Sequence, residues 1–101
     1  MDGEPFDGSS PELVELTLQT KRLLRQLRET DYADDEAKKA IYKLLFGSIG
    51  NQVSIDIDFR CEYGKNIHIG NQVIINMNCT FLDNGAIHIG DNVMIAPDVK
   101  I

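Results

Sequence analysis

Two hydrophobic periods divide the chain. In the first half, Leu13, Val14, Leu16, Leu18, Leu23, Leu24 and Leu27 recur at roughly helical spacing. Lys21, Arg22, Arg25 and Arg28 lie toward the end of that run, where a helix dipole favours cations. Ser9-Ser10-Pro11-Glu12 supplies a cap, a first-turn proline and an acidic start. The polar stretch Glu29-Thr30-Asp31-Tyr32 breaks the helix. A second is predicted from about Asp34 to Phe46, with Ala40, Ile41, Leu44 and Leu45 as its apolar stripe and Gly47 as its cap. The two form a helical hairpin whose basic face reads as a solvated surface.

The second half repeats. Ile49-Gly50-Asn51-Gln52-Val53-Ser54-Ile55, Ile69-Gly70-Asn71-Gln72-Val73-Ile74-Ile75 and Ile89-Gly90-Asp91-Asn92-Val93-Met94-Ile95 are copies of one phrase, 20 residues apart. Within each copy apolar residues step by six: Ile49, Ile55, Cys61; Ile69, Ile75, Phe81; Ile89, Ile95, Ile101. A helix needs a step of 3.6 and a plain strand a step of 2, so a sixfold step means a short strand plus a turn, three to a coil. A period near 20 marks a solenoid whose coils bury their faces by stacking. One aliphatic side chain per face is expected inward, with Ile55, Ile69, Ile75, Phe81, Ile89 and Ile95 in that role. The Gly and Asn after each first strand suit turns of positive φ. The two residues beyond three hexads should bulge as a loop at one corner.

Composition narrows the class. Net charge is −6, which argues against nucleic acid or an anionic membrane as partner, since phosphate would repel the chain. The two cysteines, Cys61 and Cys79, sit in apolar-patterned segments and read as buried free thiols in a reducing cytoplasm. No apolar run approaches the ~20 residues of a membrane span, and the acidic start is no signal peptide.

The phrase Ile-Gly-Asn/Asp-x-Val is the unit of hexapeptide-repeat proteins, and three further segments sharpen the resemblance. Gly3-Glu4-Pro5-Phe6-Asp7 with the helical hairpin resembles a maltose-acetyltransferase cap. Phe59-Arg60-Cys61-Glu62-Tyr63-Gly64, then Asn66-Ile67-His68-Ile69-Gly70, nearly matches that family's FRCDYG…NIxIG stretch. Ile89 to Pro97 resembles the segment leading to its active site. The chain is thus similar, along its length, to the maltose/galactoside O-acetyltransferases. That resemblance implies a mainly β chain: a left-handed parallel β-helix at residues 49–101, with later coils absent, preceded by an α-helical cap at 1–48. The left hand comes from the resemblance alone, since the general rule for parallel crossovers favours the right.

The resemblance also implies an activity, transfer of acetyl from acetyl-CoA to a sugar hydroxyl, in a cytoplasmic homotrimer with active sites between subunits. It places the catalytic histidine, a general base, beyond Ile101, so no catalytic residue and no metal ligand is expected within the chain, and these residues alone should be inactive. Most of the coenzyme A site lies beyond Ile101 as well. The acceptor side is here: Asn76 matches an asparagine beside the histidine and sugar, Asp83 and Asn84 match a short acidic loop, and Glu62 stands where relatives carry Ser or Asp. Carboxylates and carboxamides suit hydroxyl recognition. Ile74 and Met77 stand where relatives carry aromatics. The plain alternatives are ladder asparagines at Asn76 and Asn78, and simple turn chemistry at Asp83-Asn84-Gly85. Two rival functions are a non-catalytic trimerising scaffold and a γ-carbonic-anhydrase-like metalloenzyme using His68 and His88. These histidines occupy equivalent places in successive coils, and a solvated or stacked ladder is their expected state.

Overall fold

The computed structural model describes residues 10–101. Ser9 and the segment Gly3 to Asp7 lie outside the described residues. The hairpin is α1 (Pro11–Glu29) and α2 (Asp35–Leu45). Pro11 sits at the start of α1, where its missing N–H costs nothing, and Ser10 precedes it in extended backbone without a side-chain cap. Asp31 Oδ1 accepts from Ala33 N at 2.9 Å and turns the chain. Asp34 Oδ1 then accepts from Ala37 N at 3.1 Å and caps α2.

The buried faces keep strict helical spacing: Thr20, Leu23, Leu24 and Leu27 on α1; Lys38, Ile41, Tyr42 and Leu45 on α2. The stripe expected on α2 is therefore rotated. Ala40 and Leu44 face solvent, while Tyr42 and the stem of Lys38 replace them, because the groups awaiting α2 are polar as well as apolar. Tyr42 Oη donates to Ile55 O at 2.9 Å and accepts from Ile55 N at 3.3 Å. Lys38 Nζ lies 4.6 Å over the Tyr32 ring and 3.6 Å from Asp35. Gly47 does not cap α2 either: Phe46 N–H makes the last helical bond, to Tyr42 O, while Gly47 N donates to Ile67 O. A side chain at Gly47 would collide with Lys65 O.

Eight short strands follow: β1 (Ser48–Ile49), β2 (Ser54–Ile55), β3 (Arg60–Cys61), β4 (Ile67–Ile69), β5 (Ile74–Ile75), β6 (Thr80–Phe81), β7 (Ile87–Ile89) and β8 (Met94–Ile95). They pair in parallel with a constant offset of one coil, Ile49 against Ile69, Ile55 against Ile75 and Cys61 against Phe81. Three sheets result, β1-β4-β7, β2-β5-β8 and β3-β6, one for each face of the coil. The hexapeptide register is as the pattern predicts: Ile55, Ile69, Ile75, Phe81 and Ile95 are buried. Ile89 is half-buried, and Ile101 is 48% exposed. The core is denser than one residue per face. Ile67 with Ile69, Val73 with Ile75, and Cys79 with Phe81 all point inward, since residues two apart share a side of a strand. Edge-on rings join helix to coil: Phe46 to Phe59 at 5.7 Å, then Phe59 to Phe81 at 5.1 Å and 83°.

Polar ladders stitch the corners. Asn51 N donates to Asn71 Oδ1, and Asn71 N to Asp91 Oδ1, both at 2.7 Å. The positive φ values fall one residue later than expected, on Gln52, Gln72 and Asn92 (58–59°), and also on Asn78 and Asp98. Glycine is needed at 50 and 70 for another reason. A Cβ on Gly50 would lie 2.7 Å from Gly70 C, and one on Gly70 2.9 Å from Gly90 C, so identical corners stack only without side chains. The left-handed Gln and Asn residues cost energy that side-chain bonds offset, Gln72 Nε2 to Gln52 Oε1 at 2.9 Å among them. No helix among the described residues is long and apolar enough to cross a membrane.

Burial pushes the Tyr42 phenol up to about 12, with the Ile55 hydrogen bond opposing and Asp35 and Asp56 adding a little. The folded chain keeps a proton that the unfolded chain releases near pH 10, so this contribution is whole below pH 10 and fades as pH approaches 12. Tyr42→Phe should cost about 1–3 kcal/mol at neutral pH, by leaving both Ile55 groups unpaired. It should also flatten the loss of stability between pH 10 and 12. Urea unfolding at several pH values checks both, and an unchanged midpoint in the variant would remove Tyr42 from the account.

Candidate functional site

The six-residue step fails at one corner of each coil. Ile49, Ile55 and Cys61 end successive strands six apart, but the next strand ends at Ile69, eight further on. The two extra residues fall at 62–66 in one coil and at 82–86 in the next, forming the expected bulging corner. Backbone amides there leave the strand ladder and need other acceptors. Asp83 supplies them. Its side chain is fully buried; Oδ1 accepts from Glu62 N (3.1 Å) and Tyr63 N (2.9 Å), and Oδ2 from Asn66 N (3.3 Å). Asn66 Nδ2 returns a bond to Asp83 O at 2.8 Å. Gly64 takes the left-handed turn between them at φ 77°.

Helices brace the same corner from below. Thr20 Oγ1 lies 2.8 Å from both Leu16 O and Tyr63 O. Lys65 Nζ donates to Leu44 O at 2.6 Å, placing a cation at the C-terminal end of α2.

The residues singled out for the acceptor divide between two corners that flank the β3–β6 face. Glu62, Asp83 and Asn84 stand where the chain leaves that face; Asn76 stands where it approaches. Asn84 is exposed, and Glu62 is half-buried with its carboxylate unpaired among the described residues. The Asp83 carboxylate is taken up by backbone and does not reach the surface. Asn76 is half-buried, its Nδ2 donating to Ile95 O at 2.8 Å and its Oδ1 without a partner among the described residues. Asn78, by contrast, is a ladder residue: its N–H bonds the Asp58 carboxylate at 3.0 Å and its side chain bonds Asp98. Ile74 and Met77, beside Asn76, are exposed.

Sequence reasoning missed the middle of this face. Arg60 pairs with Thr80 and Thr80 bridges Lys100, so these three residues share a column directed outward, with Cys61 and Phe81 directed in. Arg60 and Lys100 are exposed and in no ion pair among the described residues. The 20-residue spacing carried that signal. Together the face offers a free carboxylate, free carboxamide groups and two cations, a set that suits a ligand rich in hydroxyls. His68 and His88 stack on a different face at 4.8 Å and 15°, with Ser48 Oγ 2.8 Å from His68 Nδ1. No group of three or more His, Cys, Asp or Glu among the described residues is arranged to hold a metal. A cleft of about 370 Å³ lies elsewhere, between α2 and the first coil, and none of the four acceptor candidates lines it.

Comparison with known proteins places this geometry. Residues 1–50 match the family model described as the maltose acetyltransferase hexapeptide capping motif. A maltose O-acetyltransferase from Clostridium difficile superposes with a TM-score of 0.90 at 39% identity, over 94% of this chain and 51% of its own. A hexapeptide-repeat acetyltransferase from Vibrio cholerae, complexed with acetyl coenzyme A, gives 0.89 at 38%, over 99% and 54%. A galactoside acetyltransferase in complex with coenzyme A gives 0.88 at 32%, over 94% and 48%. The chain thus spans about half the length of these solved relatives.

Cys61 lies under the face, and burial, with Asp83 and Glu62 nearby, pushes its thiol well above the ordinary range. Cys79 is fully buried and its Sγ lies 3.2 Å from Ala96 O. Both cysteines should therefore resist aromatic disulfide reagents at pH 8 in the folded chain and react at once in denaturant. Rapid labelling of either thiol without denaturant would contradict the packing described.

Proposed function

Since the chain belongs to the maltose/galactoside O-acetyltransferase family of hexapeptide-repeat proteins, we propose that its protein moves an acetyl group from acetyl-CoA to a sugar hydroxyl. Residues 1–101 supply the acceptor side of that site. The observation that carries this reading is the polar rim of the β3–β6 face, where Glu62, Asn84 and Asn76 Oδ1 have side-chain capacity left for a ligand. In this reading residues 1–48 are a cap domain, residues 49–101 wind left-handed, and three copies assemble in the cytoplasm with sites between subunits.

The reaction needs a general base, because an alcohol is a poor nucleophile at neutral pH. A histidine beyond Ile101 takes the hydroxyl proton as the sugar oxygen attacks the thioester carbonyl; the tetrahedral intermediate collapses, and the coenzyme A thiolate leaves and is protonated. Within residues 1–101, Asn76 Oδ1 accepts a hydrogen bond at the base or the acceptor, while Nδ2 stays on Ile95 O and fixes its orientation. Glu62 and Asn84 bind sugar hydroxyls from the other corner. Asp83 is reserved for the backbone, so the acceptor site is Asn76, Asn84 and Glu62.

The deciding assay is acetyl-CoA consumption against a panel of mono- and disaccharides, using protein that continues through the histidine-bearing loop. Transfer should occur there and be absent from residues 1–101 alone. Asn76→Ala should lower turnover by roughly 10²–10³-fold. Activity in residues 1–101 alone, or full activity without the Asn76 side chain, would refute this division of labour.

A further inference from the structure

The ladders at the other corners repeat: Asn51, Asn71 and Asp91 occupy one position in successive coils and bond each to the next. The Asp83 arrangement does not. One coil earlier its position is held by Tyr63, whose own N–H is among the groups Asp83 receives. Between the two corners at which the hexad period breaks, the join is thus made by one buried carboxylate on backbone N–H groups and not by a ladder of like side chains.

We propose that Asp83 is a positioning residue for acceptor specificity, acting through the backbone that carries Glu62 and Asn84. This rests on the acetyltransferase reading for the nature of the ligand, but not for the clamp itself. A fully buried carboxylate that accepts three backbone N–H groups locks corner 62–66 against corner 82–86. The Asn66 side chain closes the ring by donating to Asp83 O. Glu62 is one of the residues whose amide is held, and Asn84 is the next residue after the carboxylate, so the spacing of these two polar side chains on the rim is set by one buried group. No other acidic residue of the described chain accepts from three backbone amides. A carboxamide cannot replace it, since an amide NH₂ would meet an N–H where Asp83 offers a second oxygen. The carboxylate never touches the sugar; loss of the clamp lets the corners separate and blurs the acceptor pocket while leaving the reacting atoms in place.

Two measurements test this on the same catalytically competent protein. In the wild type, amide hydrogen exchange should protect Glu62, Tyr63 and Asn66 at least about tenfold more than Asn84, although all lie outside strands. Asp83→Asn should remove that protection selectively, with the strand amides still protected. Its sugar KM should rise roughly tenfold, with kcat within about twofold and the acetyl-CoA KM unchanged. A residue that only stabilises the fold would lower the melting temperature without moving the sugar KM. If Asp83→Asn does not fold, Asn66→Ala keeps the carboxylate and removes one bond, and a sugar KM raised a few-fold at constant kcat is expected. Equal exchange at Glu62, Tyr63, Asn66 and Asn84 in the wild type overturns the clamp, whatever the enzyme does. Unchanged sugar KM in the folded variants overturns the positioning role, and a fall in kcat at constant KM gives Asp83 a part in the chemistry instead. A wild type that acetylates no sugar would refute the transferase reading and the role in sugar specificity with it, leaving the exchange data to decide the clamp.

Discussion

A stack of like coils buries its apolar faces only between neighbours, and the contact that closes the lower end, beneath the first coil, organises the molecule. Ile55 and Phe59 would face water if nothing lay beneath them. Tyr42 and Leu45 of α2 and Phe46 at its end fill that place, and Phe46 and Phe59, then Phe59 and Phe81, meet edge-on. The rings give a cross-section that aliphatic residues of one coil cannot fill, and edge-to-face contact between them favours one arrangement of helix on coil. α1 covers α2 through Leu23, Leu24 and Leu27 and reaches the coil itself through Thr20. The hairpin therefore shares one continuous hydrophobic core with the coils and forms its lowest layer.

With the core settled, the faces are rigid and the chemistry is left to corners. Strands of two or three residues leave little room for side chains of special purpose, because inward positions are apolar and the repeated corner positions serve the ladders. Function can enter where the period is relaxed. The corner with two extra residues is such a place, and Glu62, Asp83 and Asn84 all lie on it. The β3–β6 face beside it carries Arg60, Thr80 and Lys100 outward, while Asn76 borders the opposite side. A rigid wall between two polar rims is a sound support for a ligand that must be held by many weak hydrogen bonds.

Much of this was legible in the residues. The 20-residue period named the coil, the steps of six named the inward isoleucines, and the helical hairpin could be bounded to within a residue or two. What escaped had physical causes. Left-handed backbone fell on Gln52 and Gln72 rather than on the glycines before them, because each glycine is required by the glycine stacked above and the turn is completed one residue later. The second inward residue of a face, such as Ile67 or Val73, does not stand on the sixfold step and so leaves no mark in it. On α2 a hydropathy stripe favoured Leu44, but the open coil end presents the polar backbone of Ile55 along with its apolar side chain, and a tyrosine satisfies both. Resemblance could bring Asp83 to the corner proposed for the acceptor. Only three-dimensional contact could tell a carboxylate that faces a ligand from one that faces three amides.

The Tyr42 hydroxyl has a meaning beyond packing. In a parallel sheet alternate residues bond to opposite neighbours; Ser54 and Asp56 donate upward to β5, which leaves the N–H and C=O of Ile55 directed downward, where β2 has no neighbour. A single phenol oxygen, able to donate and to accept, occupies that missing strand's place. It thereby closes that rung of the lower edge of β2 to pairing with a second chain. Repeat proteins carry the means of endless growth in their own regularity. Here, on the lower edge of β2, a side chain that belongs to no strand stands where a further coil would pair.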